Sequence, residues 1–273
     1  MEPVSEKTHG VRSVQHARSL TQIAQWQCRI GKFAAARDNY RDSIERLDSR
    51  AHAEPLVDAL LGYARCSLEE LSVEGVATAP ESLERYRGPL ARSGRVDPTS
   101  PAFSMRIAQF LRTDGEQALV RAAGLVEATD SLDANRRIEV LLQAGDWFQT
   151  KGHVHAARKY YARAQTWASR RTIGADDPLA APVQVLYPVP PLALRGRLLP
   201  DSLIVERSLE VEFTVRADGR IDGERVVERD LGKSAADEVM LALRVARFRP
   251  RVVGGKAVAT DNVRFRQVFR VLK

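Results

Sequence analysis

The chain has 273 residues, of which 44% are hydrophobic and 28% charged, an ordinary globular composition with enough length for one or two independently cored domains. Its formal net charge is +7 and its pI about 9.7. Arginine supplies most of the excess, spread along the chain without a polybasic block, which disfavours nucleic acid as a partner.

No apolar run approaches the roughly 18 residues of a membrane span. The first ten residues, MEPVSEKTHG, are polar and contain a proline, unlike a signal peptide. The expectation is a periplasmic or cell-envelope protein if a leader or anchor is missing from this chain, and a cytoplasmic one otherwise. Two cysteines, Cys28 and Cys66, are too few for a disulfide framework and lack metal-ligand spacing.

Residues 1–12 read as a flexible tail. From residue 13 to 172 apolar residues recur at steps of three and four, broken at Gly, Pro, Asp and Ser. The spacing predicts helices over Val14–Ile30, Phe33–Leu47, Glu54–Leu71, Pro80–Ala91, Pro101–Arg112, Glu116–Glu127, Asp133–Gln149 and Val154–Ser169. Short turns pair many of them. Stacked hairpins of this kind bury a core by packing on one another.

Two hairpins resemble tetratricopeptide repeats. In LLQAGDWFQTKGHVHAARKYYARAQTWA, Leu141, Ala144, Gly145 and Phe148 share one helix face, Gly152 makes the turn, and Val154, Ala157, Tyr161 and Ala164 follow on the second helix. In SLTQIAQWQCRIGKFAAARDNYRDSIERL, Gly31, Phe33, Ala36, Tyr40 and Ile44 fit the same order, with Gln27 in place of the usual aromatic. The stretch between fits the repeat poorly, and an ordinary helical bundle stays open as a reading.

Residues 173–181 read as a linker into a segment rich in Pro and Ala, unsuited to helix or central strand. Beyond Pro182 the period changes to two. In SLEVEFTVRADGR, Val211, Phe213 and Val215 alternate with Glu210, Glu212 and Thr214, the mark of a half-buried strand. Asp218-Gly219 supplies a hairpin turn to a second strand, Ile221–Glu228. A helix follows over Ser234–Ala246. The final strand, NVRFRQVFRVL, turns Val263, Phe265, Phe269 and Val271 to a buried side, with Gln267 among them. Arg264, Arg266, Val268 and Arg270 take the other side. The expected fold class is therefore α+β in two domains. A helical-hairpin array occupies 13–172, and a small domain with an antiparallel sheet packed on a helix occupies 182–273.

The landmarks of the second domain come in a recognisable order. Tyr187-Pro188 leads to VEFTVRADGRI; LALRVARFRP runs into Phe248 and Pro250; VGGKAVATDNVRFRQVFRV closes the chain. Over about Pro182 to Lys273 this resembles the C-terminal domain of TonB energy transducers. The resemblance implies a domain that grips an extended segment of an outer-membrane receptor, added as a strand to a sheet edge whose N–H and C=O groups are unpaired. The receiving edge in the family is the final strand, here Asn262 to Val271. The implied peptide-binding residues are Val263, Arg264, Phe265, Arg266, Gln267, Val268 and Phe269. Gln184, three residues before Tyr187 and Pro188, matches a glutamine near the bound peptide, and those three join the set.

The chain departs from the transducers in carrying helical repeats where they have a membrane helix and a long Pro-rich spacer. At about 3.1 Å per extended residue the short Pro-containing stretch does not replace that spacer. RGRLLPDSLIVERS also stands where the family has a shorter Gly-containing turn. A helical-repeat scaffold with a TonB-like docking domain and no energy transduction is the alternative reading. The sheet edge also leaves a homodimer open.

Catalytic chemistry finds little support. No Gly-rich phosphate loop or nucleophile elbow is present. His153 and His155 flank Val154 at a hairpin turn without a third ligand, and Asp176-Asp177 and Glu69-Glu70 read as solvated acidic pairs. The expectation is a non-enzymatic protein with protein or peptide partners and neither cofactor nor metal.

Overall fold

The computed structural model describes residues 14–47, 51–72, 101–170, 177–186, 188, 204–230 and 232–272. It divides into two compact units, Met1–Val140 and Leu141–Lys273, and the fold class is α+β as the periodicity indicates. Among the described residues no helix is long and apolar enough to cross a membrane.

The first unit begins with α1 (Val14–Arg29) and α2 (Phe33–Arg46). Gly31 joins them at φ 77°, a left-handed conformation that glycine adopts without a Cβ penalty. Its N–H donates to the Cys28 carbonyl at 3.0 Å, and the Lys32 N–H donates to Gln27 at 2.9 Å. Both bonds satisfy carbonyls at the helix end. Gln27, at the position the resemblance gives to an aromatic, accepts a hydrogen bond from Asn39 at 2.7 Å. The substitution is thus a polar clasp between the two helices.

Next come α3 (Ala53–Ser72) and α4 (Pro101–Ala128). The sequence reading broke the second of these at Thr113–Gly115; the structure runs one helix through. Gly115 lies where a Cβ would stand 3.3 Å from Leu68 and 3.5 Å from the Ala64 carbonyl, so this glycine serves close helix approach rather than a turn. Asp114, read as part of the same break, accepts the Tyr63 hydroxyl proton at 2.8 Å. Burial first, then that hydrogen bond, pushes the Tyr63 phenol up to about 12. The helix expected over Pro80–Ala91 lies outside the described residues.

Cys28 and Cys66 are both buried and unbonded to each other. Titration of the unfolded, unreduced protein with a thiol reagent is expected to find two thiols; finding none would contradict this arrangement.

The second unit takes α5 (Ala134–Thr150) from Leu141 onward, then α6 (Val154–Ala168). Their turn repeats the first one: Gly152 has φ 77°, and Gly152 and His153 donate to Gln149 and Phe148 at 3.0 and 2.9 Å. Ala157, Tyr161 and Ala164 are buried as the repeat-like pattern requires. A Cβ on Gly145 would overlap the Tyr161 ring.

The strands follow: β1 (Val183–Leu186), β2 (Ile204–Val215) and β3 (Ile221–Arg229). Helix α7 (Lys233–Val245) leads to β4 (Arg247–Arg249), β5 (Arg251–Val253), β6 (Lys256–Val258) and β7 (Thr260–Leu272). The main sheet has the order β3-β2-β7, while β1 pairs with β4 and β5 with β6. All these pairs are antiparallel. Leu209, Val211, Phe213, Val215 and Phe269 form the covered face of the main sheet, packed on Ala235, Ala236, Val239 and Leu243 of α7. Phe213 and Phe248 meet with ring centroids 5.4 Å apart.

The sequence placed the division between domains at residues 172/173, whereas the compact units part between Val140 and Leu141. Polar contacts explain the difference. Gln149 donates to the Asp218 carbonyl at 2.6 Å, Arg158 to Ala217 at 3.1 Å and Gln165 to Val252 at 2.8 Å. Asp146 receives Arg249 through two bonds of 2.9 and 2.6 Å. The described part of the expected linker is also engaged: Leu179 is fully buried, and its carbonyl accepts the Val252 N–H at 3.0 Å.

Candidate functional site

The sheet has two outer strands, and they differ. β3 leaves regular register twice, between Glu210 and Val211 and again between Glu212 and Thr214 of its neighbour. Gly223, at φ 63°, lies in the second irregularity. Bulges of this kind twist an edge and interrupt its ladder, a common protection against unwanted pairing. β7 instead keeps continuous register on β2 from Ile204↔Leu272 to Phe213↔Val263. Its irregularity comes at the beginning, where Asn262 takes φ 57° and the register steps to Val215↔Thr260. Among the described residues no strand pairs with the outer side of β7.

The direction of the backbone groups follows from one hydrogen bond. Asp230 N–H donates to the Ser208 carbonyl at 3.0 Å, so Ser208 directs its backbone toward β3. Its partner across the other ladder is Val268. In an antiparallel pair such a site is non-hydrogen-bonded, and both residues point N–H and C=O away from each other. Alternation then gives Arg264, Arg266, Val268 and Arg270 outward-facing backbone groups, while Val263, Phe265, Gln267 and Phe269 bond to β2. The Gln267 side-chain amide donates to the Val268 carbonyl at 2.8 Å, occupying one acceptor of the edge.

Side chains divide as the sequence reading expects. Phe269 lies in the core, and Val263, Phe265 and Val271 pack partly buried against it. On the opposite face Arg264 donates to Glu210 at 3.1 Å and approaches Glu212 at 3.4 Å. Glu212, only 7% exposed, also takes Arg225 at 2.5 Å. Arg266 donates to the neutral Ser208 hydroxyl at 3.2 Å. Cross-strand ion pairs on a wet face contribute about 0.2–1 kcal/mol each, so they order the arginines more than they stabilise the sheet.

Val263 through Phe269 are thus gathered on one strand with one outer side. Gln184 is not on that sheet: it is an exposed residue of β1, paired with Phe248 of β4. Pro188 is exposed, and Tyr187 lies outside the described residues. The sequence reading missed the bulges of β3, although Asp222-Gly223 within a strand pattern was a signal for one. It also missed the outward direction of alternate N–H groups, which depends on pairing rather than residue type.

No protein family matches the chain, and no curated protein does. Among solved structures, the chain is similar to one described as the solution NMR structure of Pseudomonas aeruginosa TonB CTD. It is 30% identical to that chain, covering 36% of this chain and 89% of that one, with a TM-score of 0.25. That likeness is to a TonB C-terminal domain and concerns about a third of this chain.

Proposed function

We propose that this is a non-enzymatic cell-envelope protein of TonB type whose C-terminal module grips an extended segment of an outer-membrane receptor by strand addition along β7. Its helical hairpins hold a protein partner. The observation that supports this most is the contrast between edges: β3 is interrupted by bulges, whereas β7 offers a regular row of outward N–H and C=O groups from Arg264 to Arg270. An extended peptide satisfies those groups and gains a ladder. The Tyr-Pro, Asp-Gly and Phe-Arg-Pro landmarks support the TonB assignment.

A second reading draws on the packing of α5 and α6 against the sheet module. Transducers carry a long spacer before this domain, and here Asp146, Gln149, Arg158 and Gln165 bind the helices to it instead. That favours a docking scaffold without energy transduction.

The test is titration of the full chain with synthetic receptor segments. Arg266→Pro removes an N–H directed at the edge and leaves the ladder to β2 intact. Its affinity is expected to fall by about tenfold or more, the equivalent of a ladder hydrogen bond and an unpaired carbonyl on the peptide. Arg266→Ala keeps the N–H and is expected to lose less. Thermal melts confirm that both variants are folded. Parent-like binding by folded Arg266→Pro protein would remove β7 as the site; a parent that binds no segment of a broad panel would give the scaffold reading the lead.

A further inference from the structure

We infer that the strand taken up by β7 is acidic, with carboxylates at alternate positions on its solvent-facing side. The inference rests on strand addition at this edge and specifies its partner. Residues directly opposite in a ladder share a sheet face. An incoming strand therefore sets its solvent-side residues against Arg264, Arg266, Val268 and Arg270, and its other residues toward the side of Phe265 and Phe269.

Three of the four solvent-side positions are arginines. Arg266, central among them, has the neutral Ser208 hydroxyl as its hydrogen-bond acceptor. Arg264 is paired with Glu210 through Nη1 and lies near Glu212 through Nε on the inner side, yet 64% of its side chain is exposed, leaving donors of the guanidinium fork for a further carboxylate.

In antiparallel orientation the complementary pattern is acidic, any, apolar, any, acidic, any, acidic, read from opposite Arg270 to opposite Arg264. The same arginines disfavour a second copy of this chain. An antiparallel self-pair overlapping most of the strand sets arginine opposite arginine, and like charges facing across a ladder are repulsive.

The probe is an acetylated, amidated heptapeptide, Glu-Val-Val-Thr-Glu-Val-Glu, titrated calorimetrically into the full chain beside its counterpart with glutamine at the three glutamate positions. Glutamine preserves shape and ladder and removes the charge. The glutamate peptide is expected to bind about tenfold tighter at low salt, the sum of three modest cross-strand pairs, with the gap narrowing as ionic strength rises. In Arg266→Glu protein, with two attractive pairs and one repulsive one, the preference is expected to fall to about twofold.

Equal binding of the two peptides, or an unchanged preference in Arg266→Glu, would overturn the acidic specificity and leave strand addition standing. Binding of neither peptide would remove both.

Discussion

Replacing Asp146 by alanine is expected to lower the stability of the C-terminal unit by about 3 kcal/mol or more, the usual effect of removing one partner of a buried ion pair. Arg249 is 9% exposed, and its guanidinium meets the Asp146 carboxylate with Nε on Oδ1 at 2.9 Å and Nη2 on Oδ2 at 2.6 Å. Nη1 donates to the Pro178 carbonyl at 3.2 Å. The Tyr161 hydroxyl donates to the same carboxylate at 3.0 Å. Burial opposes the charge of Arg249, and the hydrogen bonds and charge of Asp146 outweigh it, holding the guanidinium more firmly protonated. Burial first and then the Asp146 charge raise the Tyr161 phenol, keeping it a neutral donor.

Alanine at 146 strands a buried cation and a buried hydroxyl together. Replacing both members, Asp146→Leu with Arg249→Met, is expected to be milder than Asp146→Ala alone, because no uncompensated charge remains. Urea unfolding followed by tryptophan fluorescence reads this unit in a Trp26→Phe background, since Trp147 and Trp167 then remain as the reporters. Trp26 is 59% exposed, so that change is benign. A double variant as unstable as the single one would show that packing, not the ion pair, dominates.

This pair also marks where sequence reasoning stopped. The change from a period of three and four to a period of two was legible because each period is written in many residues at once. The Asp218-Gly219 turn and the edge strand were legible because few residue types suit either. The attachment of α5 and α6 to the sheet module was not legible. Gln149, Arg158 and Gln165 donate to the carbonyls of Asp218, Ala217 and Val252, and a backbone acceptor leaves no mark of residue type in the sequence. Gly115 misled for a related reason: a glycine within a helix reads equally as a stop or as a place of close approach, and only the neighbouring helix decides.

For the candidate site, residue alternation along β7 identified the strand and its two faces. The outward direction of its N–H groups required a pairing partner, as did the separation of Gln184 onto β1. The alternation puts Phe265 on the buried side together with Phe269. Phe265 is partly buried, and Phe269, fully buried at 0% exposure, occupies the place where truncation to alanine would carry a penalty of about 3–5 kcal/mol.

Gly219→Ala is the second large effect expected. Two penalties combine at this position. The residue has φ 78°, where a Cβ costs about 1–2 kcal/mol. A Cβ would also overlap the Gln149 amide nitrogen and the Phe248 carbonyl oxygen. The Gln149 side chain can withdraw, giving up its bond to Asp218; the Phe248 carbonyl belongs to the backbone of β4, whose Phe248 N–H is itself held by the Gly219 carbonyl at 2.9 Å. Relief therefore requires the hairpin turn to lift from β4, at about 1–3 kcal/mol beyond the conformational term.

Gly254 provides the control, with φ 56° and nothing within 4 Å of an added Cβ. Gly254→Ala is expected to show the conformational penalty alone, and Gly219→Ala roughly twice as much or more. In a Gln149→Ala background the Gly219→Ala penalty is expected to shrink only in part, since the backbone overlap persists. The three measurements use the same urea unfolding with Trp147 and Trp167 as reporters. Equal penalties at Gly219 and Gly254 would mean that the turn moves freely from β4. Complete relief by Gln149→Ala would mean that the glutamine, and not the strand, sets the limit on this turn.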